Sequence, residues 1–332
     1  MSIRLILGAV DNLRGIAVRT PMLTSAALNE QLGRTVWVKA ENQQLTGSFK
    51  LRGAYNALAL MDAETRSRGV VGASSGNHAA ALALAAHRLE VPVTVVVPEN
   101  LPSVKRQAIE DLGARIVPYG RLAGRRDALV HEIADRGGLT IVPSANDEQV
   151  IAGAGTVGWE MLQEHPDLTA LVVPVGGGGL AAGTALAASA HNPGPRVFGA
   201  EPATADDTHR SLQAGRRISI APPRTIADGL GHTEPARIPF HINQRLLAGV
   251  VTVPEGAISE AMAHLWRLFR LVAEPSGAVA FAGLLHALGR LPDGPVGVVV
   301  SGGNVDWNTY KTQVDTAMTR WETPLHAAAV LH

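Results

Sequence analysis

An α/β fold built on parallel sheets is predicted by three features of this sequence. Short, nearly continuous apolar runs alternate with longer stretches of helical periodicity, each run ends in Gly, Ser or Pro, and the runs lack the in-out alternation of a strand with one wet face. Strands covered on both faces and separated by helices pack as parallel sheets between helical layers. In chain order, strands are expected at 36–38, 69–73, 93–97, 115–117, 140–142, 171–175, 197–200, 250–253 and 296–300. The β-branched runs VTVVV at 93–97 and VGVVV at 296–300 are the plainest of these. Helices are expected at 51–61, 79–89, 103–112, 149–164, 180–190, 258–271 and 278–288, where Ala and Leu recur at helical spacing.

Composition narrows the function classes. Over 332 residues, 29 Lys and Arg balance 29 Asp and Glu, so no net charge steers the chain toward nucleic acid. With 46% hydrophobic and 17% charged residues, a large core can be buried. Gly at 35 and Pro at 20 supply the many turns that the alternation needs. The absence of Cys excludes disulfides, thiolate metal sites and a cysteine nucleophile. The first apolar stretch, 5–10, contains Gly8 and runs into Asp11, unlike a secretion signal. The longest apolar runs fall short of the roughly 18 residues that cross a bilayer, so no membrane partner and a cytoplasmic location are expected.

In parallel sheets ligands sit beyond the carboxyl ends of the strands, which directs attention to the loops ASSGNH at 73–78, PVGGGGL at 174–180 and VSGGN at 300–304. Gly176, Gly177, Gly178 and Gly179 end a strand and open a helix. Without Cβ atoms their N–H groups can approach an anion, and a phosphate cradle fits. The same loop read as G-x-G-x-x-A, through Gly176, Gly178 and Ala181 with Glu201 downstream, is a dinucleotide fingerprint, while the lack of a following lysine excludes a Walker loop. Lys50, in TGSFKLRGA at a helix start beside Phe49, is either a desolvated, nucleophilic amine or a solvated surface lysine behind Ser48 as helix cap.

Taken in order, Lys50, ASSGNH, GGGGL and VSGGNVD resemble fold-type II pyridoxal-phosphate enzymes. The stretch ENQQLTGSFKLRGA at 41–54 looks like the serine/threonine dehydratase attachment signature, and the spelling is most similar to the serine racemase and threonine dehydratase branch, from about Arg19 to Asp306. The resemblance implies pyridoxal 5′-phosphate held by Lys50 as an imine, with Phe49 packed beside it. It also implies Asn77 on the ring hydroxyl, Gly176 to Gly179 on the phosphate and Ser301 facing the ring nitrogen. A neutral serine hydroxyl makes the ring a weaker electron sink than a carboxylate would, which suits rapid expulsion of a β-substituent.

The substrate-binding residues implied are Ser74, Ser75, His78 and Arg126. Ser75 resembles the racemase serine opposite the lysine, where two acid/base groups permit inversion; alternatively it only orients substrate with Ser74 and His78. Glu201, the Ala205 carbonyl and Asp207 match that branch's divalent-cation site, suited to Mg or Ca, or else serve as acids complementing a helix dipole. Arg126 sits in GRLAGRRDA beside Arg121 and Arg125. It either recognises an extra substrate carboxylate, as in 3-hydroxyaspartate, or forms a solvated pair near Asp127.

The resemblance further implies two open parallel-sheet domains of the tryptophan synthase β type, with the cofactor between them. The large domain is expected over 1–68 and 147–332 and the small one over 69–146, with no C-terminal regulatory domain and a homodimeric assembly. The expected activity is dehydration and deamination of a β-hydroxy amino acid such as L-threonine, L-serine or 3-hydroxyaspartate, with racemisation as a second activity. Alternatives are a racemase, a β-replacement synthase of the same fold, a nicotinamide oxidoreductase using Gly176 to Ala181, or a catalytically dead binding protein.

Overall fold

The computed structural model describes residues 1–74, 76–101, 103–120 and 125–318; the expectations for Ser75 and Arg121 lie outside these residues. Among the described residues the strands are β1 (Met22–Leu23), β2 (Val36–Ala40), β3 (Val70–Ala73), β4 (Val93–Pro98), β5 (Arg115–Tyr119), β6 (Thr140–Ile141), β7 (Ala170–Pro174), β8 (Arg196–Pro202), β9 (Leu247–Val253) and β10 (Val296–Val300). They make a six-stranded sheet in the order β1-β2-β10-β7-β8-β9 and a four-stranded sheet in the order β5-β4-β3-β6. All pairings are parallel except at one edge, where β1 runs antiparallel to β2 with Met22 opposite Lys39. A two-residue edge strand pairs on one side only, and its short return through the helix Ala26–Leu32 need not make the long crossover of a parallel connection.

Helices that the periodicity did not reveal bury few of their residues. Ala63–Arg68 buries nothing and rests on its cap, Asp62, whose carboxylate accepts from Thr65 N at 2.7 Å. Ile3–Asn12 buries only Ile6 and Ala9. By contrast, Gly179–Ala188 and Pro275–Ala287 are apolar all round and almost wholly buried, as helices between two layers must be. The first of them crosses Glu148–Glu164 so closely that a Cβ on Gly183 would stand 2.6 Å from Gly155 Cα, and only glycine fits.

The packing under the small sheet does not break at residue 69. Leu13, Leu51, Ala54, Tyr55 and Leu58 share one core with Val70, Leu82, Val93 and Val95, so the helix Lys50–Ala59 is built into both layers. Beneath that helix lies an ion network, buried except at Glu160. Arg52, fully buried, reaches Glu41 through Nε and Nη2 (both 2.8 Å) and Glu160 through Nη1 (2.7 Å) and Nη2 (2.9 Å). Lys39 donates to Glu160 Oε2 (2.6 Å) and to the Thr20 carbonyl (2.7 Å), and Thr20 Oγ1 donates to Glu41 Oε1 (2.5 Å). Two cations and two carboxylates cancel, as buried charges require.

Candidate active site

Three strand ends and one helix start bring the candidate residues together. β2 leads through a short turn to Ser48, which bridges Gly302 just past β10, and Phe49 N–H donates to the Ser301 carbonyl at 3.1 Å. This ties the start of the helix Lys50–Ala59 to the end of β10. Ser48 is buried and its Oγ caps nothing; the residue preceding the helix is Phe49, which makes no side-chain cap. Against the solvated-lysine alternative, Lys50 is partly buried on a backbone tied to the central sheet. Lys50 Nζ instead donates to the Ser144 carbonyl at 3.0 Å and stands 4.9 Å from the Phe49 ring centroid. Burial pushes its amine down to about 8, with Glu274 opposing the shift.

The glycine loop follows β7. Gly178 takes φ +87, a conformation that side chains resist, and the Asn243 amide donates to its carbonyl at 3.2 Å. Ala145, next to Ser144, abuts this loop: a Cβ at Gly177 would stand 2.9 Å from the Ala145 Cβ, and one at Gly176 would stand 3.0 Å from His232 Cδ2. Four bare backbone units opening the helix Gly179–Ala188 therefore leave a cradle that side chains would fill, next to the Lys50 amine. That is the fit expected of a phosphorylated aldehyde cofactor.

Asn77 opens the helix Asn77–Leu89 after β3, and its amide is clamped at both ends. Nδ2 donates to Glu274 Oε1 at 2.5 Å, and Oδ1 accepts from Asn304 Nδ2 at 2.8 Å. Asn77 Nδ2 lies 3.2 Å from where a Cβ on Gly302 would stand, so the start of this helix meets the loop after β10, one residue from Ser301. His78 is turned away: its Nε2 lies 3.0 Å from the Val142 carbonyl, and burial, then the Lys50 charge, pushes its imidazole down to about 4. Ser74 Oγ accepts from Gly76 N–H at 3.1 Å, bracing the loop.

Arg126, in the first turn of Arg125–Gly137, is half exposed and bonds Asp127 Oδ1 through Nε at 2.8 Å, the solvated pair weighed above. Glu201 at the end of β8 and Asp207 at the start of Asp207–Ala214 are buried with no cationic partner. Glu201 Oε1 accepts from His209 N–H at 2.7 Å, but Glu201 Oε2 and both Asp207 carboxylate oxygens have no hydrogen-bond partner. Burial, with repulsion from Asp207 and Asp206, pushes Glu201 up to about 9, and burial, with repulsion from Asp206 and Glu234, pushes Asp207 up to about 7. Among the described residues no group of three His, Asp or Glu gathers as a metal site, so a cation here would rest on two carboxylates and backbone oxygen such as that of Ala205.

Sequence reading missed Glu274, Asn304, Ser144 and His232. Asn304 closes the VSGGN loop and was within reach of that motif. Glu274 precedes a helix-opening proline and looks like a cap, Ser144 contributes only its carbonyl, and His232 lies in an irregular, Gly- and Pro-rich stretch with no strand before it.

A two-sheet α/β architecture with a desolvated lysine facing a glycine cradle defines a class of cofactor-dependent enzymes acting at amino-bearing carbons. The chain belongs to the family described as "Pyridoxal-phosphate dependent enzyme", whose profile matches residues 13–302. It is 39% identical over 309 residues to the L-threo-3-hydroxyaspartate ammonia-lyase of Saccharomyces cerevisiae, covering 93% of this chain and 95% of that protein. To the L-threonine ammonia-lyase of Thermotoga maritima it is 38% identical, covering 90% and 75%. The crystal structure of serine racemase from Dictyostelium discoideum superposes with a TM-score of 0.87 at 38% identity, over 92% of this chain and 99% of that one. The dinucleotide alternative falls with this membership. Among the described residues no helix is long and apolar enough to cross a membrane.

Proposed function

We propose that this enzyme dehydrates and deaminates a β-hydroxy amino acid to a 2-oxo acid and ammonia, with inversion at the α-carbon as a second activity. The observation that carries this reading is the partly buried Lys50 amine, held against the Ser144 carbonyl, whose neighbour Ala145 packs on the glycine loop. The N–H groups of Gly176 to Gly179 would hold the cofactor's phosphate, Phe49 would wall one side, the Asn77 amide would meet the ring hydroxyl and the Ser301 hydroxyl the ring nitrogen. When bound, pyridoxal phosphate supplies an aldehyde for the substrate amine and a ring that withdraws electrons from the α-carbon. Lys50 Nζ, held toward the Ser144 carbonyl, is the group assigned to remove the α-proton. The β-hydroxyl departs as water, and the released enamine tautomerises and hydrolyses. Ser74 would seat the substrate carboxylate and His78 brace its loop, and Ser75, which lies outside the described residues, is assigned the second acid/base role on the resemblance alone.

A panel of β-hydroxy amino acids assayed for 2-oxo acid and for the inverted enantiomer tests this. The holoenzyme should show an absorption band at about 410 nm that borohydride removes. Cofactor-supplemented protein without the band would sink the proposal. Ser75→Ala should depress racemisation by about 10²-fold while elimination falls far less; equal losses would leave Ser75 an orienting role only.

Glu201, the Ala205 carbonyl and Asp207 are proposed to hold Mg or Ca, supported by their three orphaned carboxylate oxygens. The role is structural, at the turn between β8 and the following helix. Saturating cation should raise thermal stability, by about 2.7 kcal/mol at a hundredfold excess over Kd, and Asp207→Asn should abolish the gain. A gain unchanged in Asp207→Asn would place the cation elsewhere.

The closing unit is proposed to be the small-sheet segment, 69–146, moving over substrate to exclude water. The enzyme is read as a cytoplasmic homodimer acting on a small amino acid, without nucleic-acid or membrane partners.

A further inference from the structure

We propose that Glu274 and Asn304 are positioning residues that decide which end of the Asn77 amide faces the cofactor, leaving an N–H donor for the ring hydroxyl oxygen, which is thereby held as an anion. This rests on the reading above in which Asn77 meets that oxygen, and it assigns a role to two polar residues that act through a third. An asparagine amide has a donor end and an acceptor end of nearly the same shape, so packing alone does not choose its orientation. Hydrogen bonding does. Asn304 Nδ2 donates to the Thr46 carbonyl at 2.7 Å, and a carbonyl only accepts. The same Nδ2 donates to Asn77 Oδ1 at 2.8 Å, which turns the acceptor end of Asn77 toward Asn304. The donor end, Nδ2, reaches the carboxylate oxygen Glu274 Oε1 at 2.5 Å. With an acceptor at each extremity of this relay, a flipped Asn77 amide would set oxygen against oxygen at Glu274 and donor against donor at Asn304.

Asn304 uses both of its N–H groups in the relay, whereas Asn77 uses one of two. The second Asn77 N–H holds no hydrogen bond among the described residues and is the group left for the ring oxygen. A donor at that place favours the deprotonated oxygen over the hydroxyl. The backbone is shaped to let the relay form. A Cβ on Gly302 would collide with Glu274 Oε1, and one on Gly47, where φ is +69, would collide with Asn304 Oδ1, so a side chain at either position would displace a member. Glu274 N–H donates to the Gly302 carbonyl at 3.1 Å, and Gly303 N–H donates to the Gly47 carbonyl at 2.9 Å, which fixes both ends. The relay therefore ties the helix Asn77–Leu89 to the loop after β10, to the start of Pro275–Ala287 and to the turn that delivers Phe49 and Lys50.

The test uses the cofactor-loaded enzyme as wild type and as the isosteric variants Glu274→Gln and Asn304→Asp, with melting of the cofactor-free forms by circular dichroism to confirm folding. Glutamine offers an N–H as readily as an oxygen, which releases the Asn77 amide to flip. Aspartate at 304 presents oxygen where Asn77 needs a donor. In both variants the absorbance of bound cofactor at about 410 nm, relative to its shorter-wavelength band, should fall about fivefold, the change that losing one hydrogen bond brings. Elimination kcat should fall with it while KM shifts by less than about twofold, since both residues act through Asn77 and not on substrate. A ratio unchanged in both variants, even alongside weaker stability and cofactor affinity, would reduce the two residues to scaffolding and overturn the proposal. A ratio that rises in Glu274→Gln would overturn it too, because the carboxylate's own charge would then be acting on the ring oxygen. Failure of the underlying reading looks different: wild type itself would take up no cofactor and show no such band.

Discussion

Replacing Lys50 with alanine should cut 2-oxo acid formation by at least about 10⁴-fold and leave the fold intact, because the change removes both the attachment amine and the group that takes the α-proton. The side chain contributes no packing that the sheet depends on; the helix start is held by Phe49 N–H on Ser301 and by the bridge from Ser48 to Gly302. Circular dichroism should match wild type while the band at about 410 nm is lost. Retention of the band with a borohydride-stable linkage elsewhere would move the attachment point off this residue.

The same amine leaves a mark on stability. In the cofactor-free protein it titrates at about 8 instead of the ordinary 10.5, since burial outweighs the attraction of Glu274. Below the lower value both folded and unfolded chains carry the proton, and the folded state bears the full cost of a desolvated ammonium. Between the two values the unfolded chain binds more protons, so stability rises with pH across that window. Lys50→Ala should flatten that rise in urea titrations of the cofactor-free protein from pH 7 to pH 10. A rise of the same size in the variant would assign it to other groups.

Much of this site was legible before any coordinates. Lys50, Asn77, the four glycines and Ser301 all lie at a strand end or the start of the following helix, where an α/β chain concentrates ligand contacts, so order along the chain mirrors arrangement in space. His232 and Glu274 could not be read that way. Each gains meaning from a partner distant in sequence: the glycine loop 53 to 56 positions earlier for His232, and Asn77 on the other sheet for Glu274. The strand map was recovered because doubly covered strands are written as unbroken apolar runs. The antiparallel edge β1 and the polar helices were not, because two residues or one capped turn bury too little to impose a period. The small-sheet core drew in Leu13 and the helix Lys50–Ala59 for a related reason: which layer an apolar helix serves is set by packing, and this helix serves two.

Arg52 stands two positions beyond Lys50 and is the second residue whose loss should be severe. Arg52→Leu should destabilise the protein by about 3–5 kcal/mol, the cost of leaving a buried charge without its partner. Glu41 would then face Glu160 across the space beneath the helix with Lys39 as the sole remaining cation of the network, although Lys39 bonds only Glu160 and Thr20. Leucine also removes the guanidinium bonds to the Val18 carbonyl and Thr156 Oγ1, both 3.1 Å, leaving the carbonyl to Gln44 Nε2 alone. The double variant Arg52→Leu/Glu41→Leu should recover part of the loss, since removing both members of a buried pair is far less costly than removing one. The pH dependence has a definite sign. Burial alone would push the Glu41 carboxyl up, but Arg52, with Lys39 and Thr20, holds it below its ordinary value of 4.5. Its contribution is therefore complete above that value and is lost as pH falls through the depressed folded value, so wild type should lose stability in acid more steeply than Arg52→Leu does. Because the network anchors the turn that presents Lys50, cofactor affinity should fall together with stability. A variant that unfolds earlier yet binds pyridoxal phosphate as tightly as wild type would show that the lysine is positioned by the β10 contacts alone.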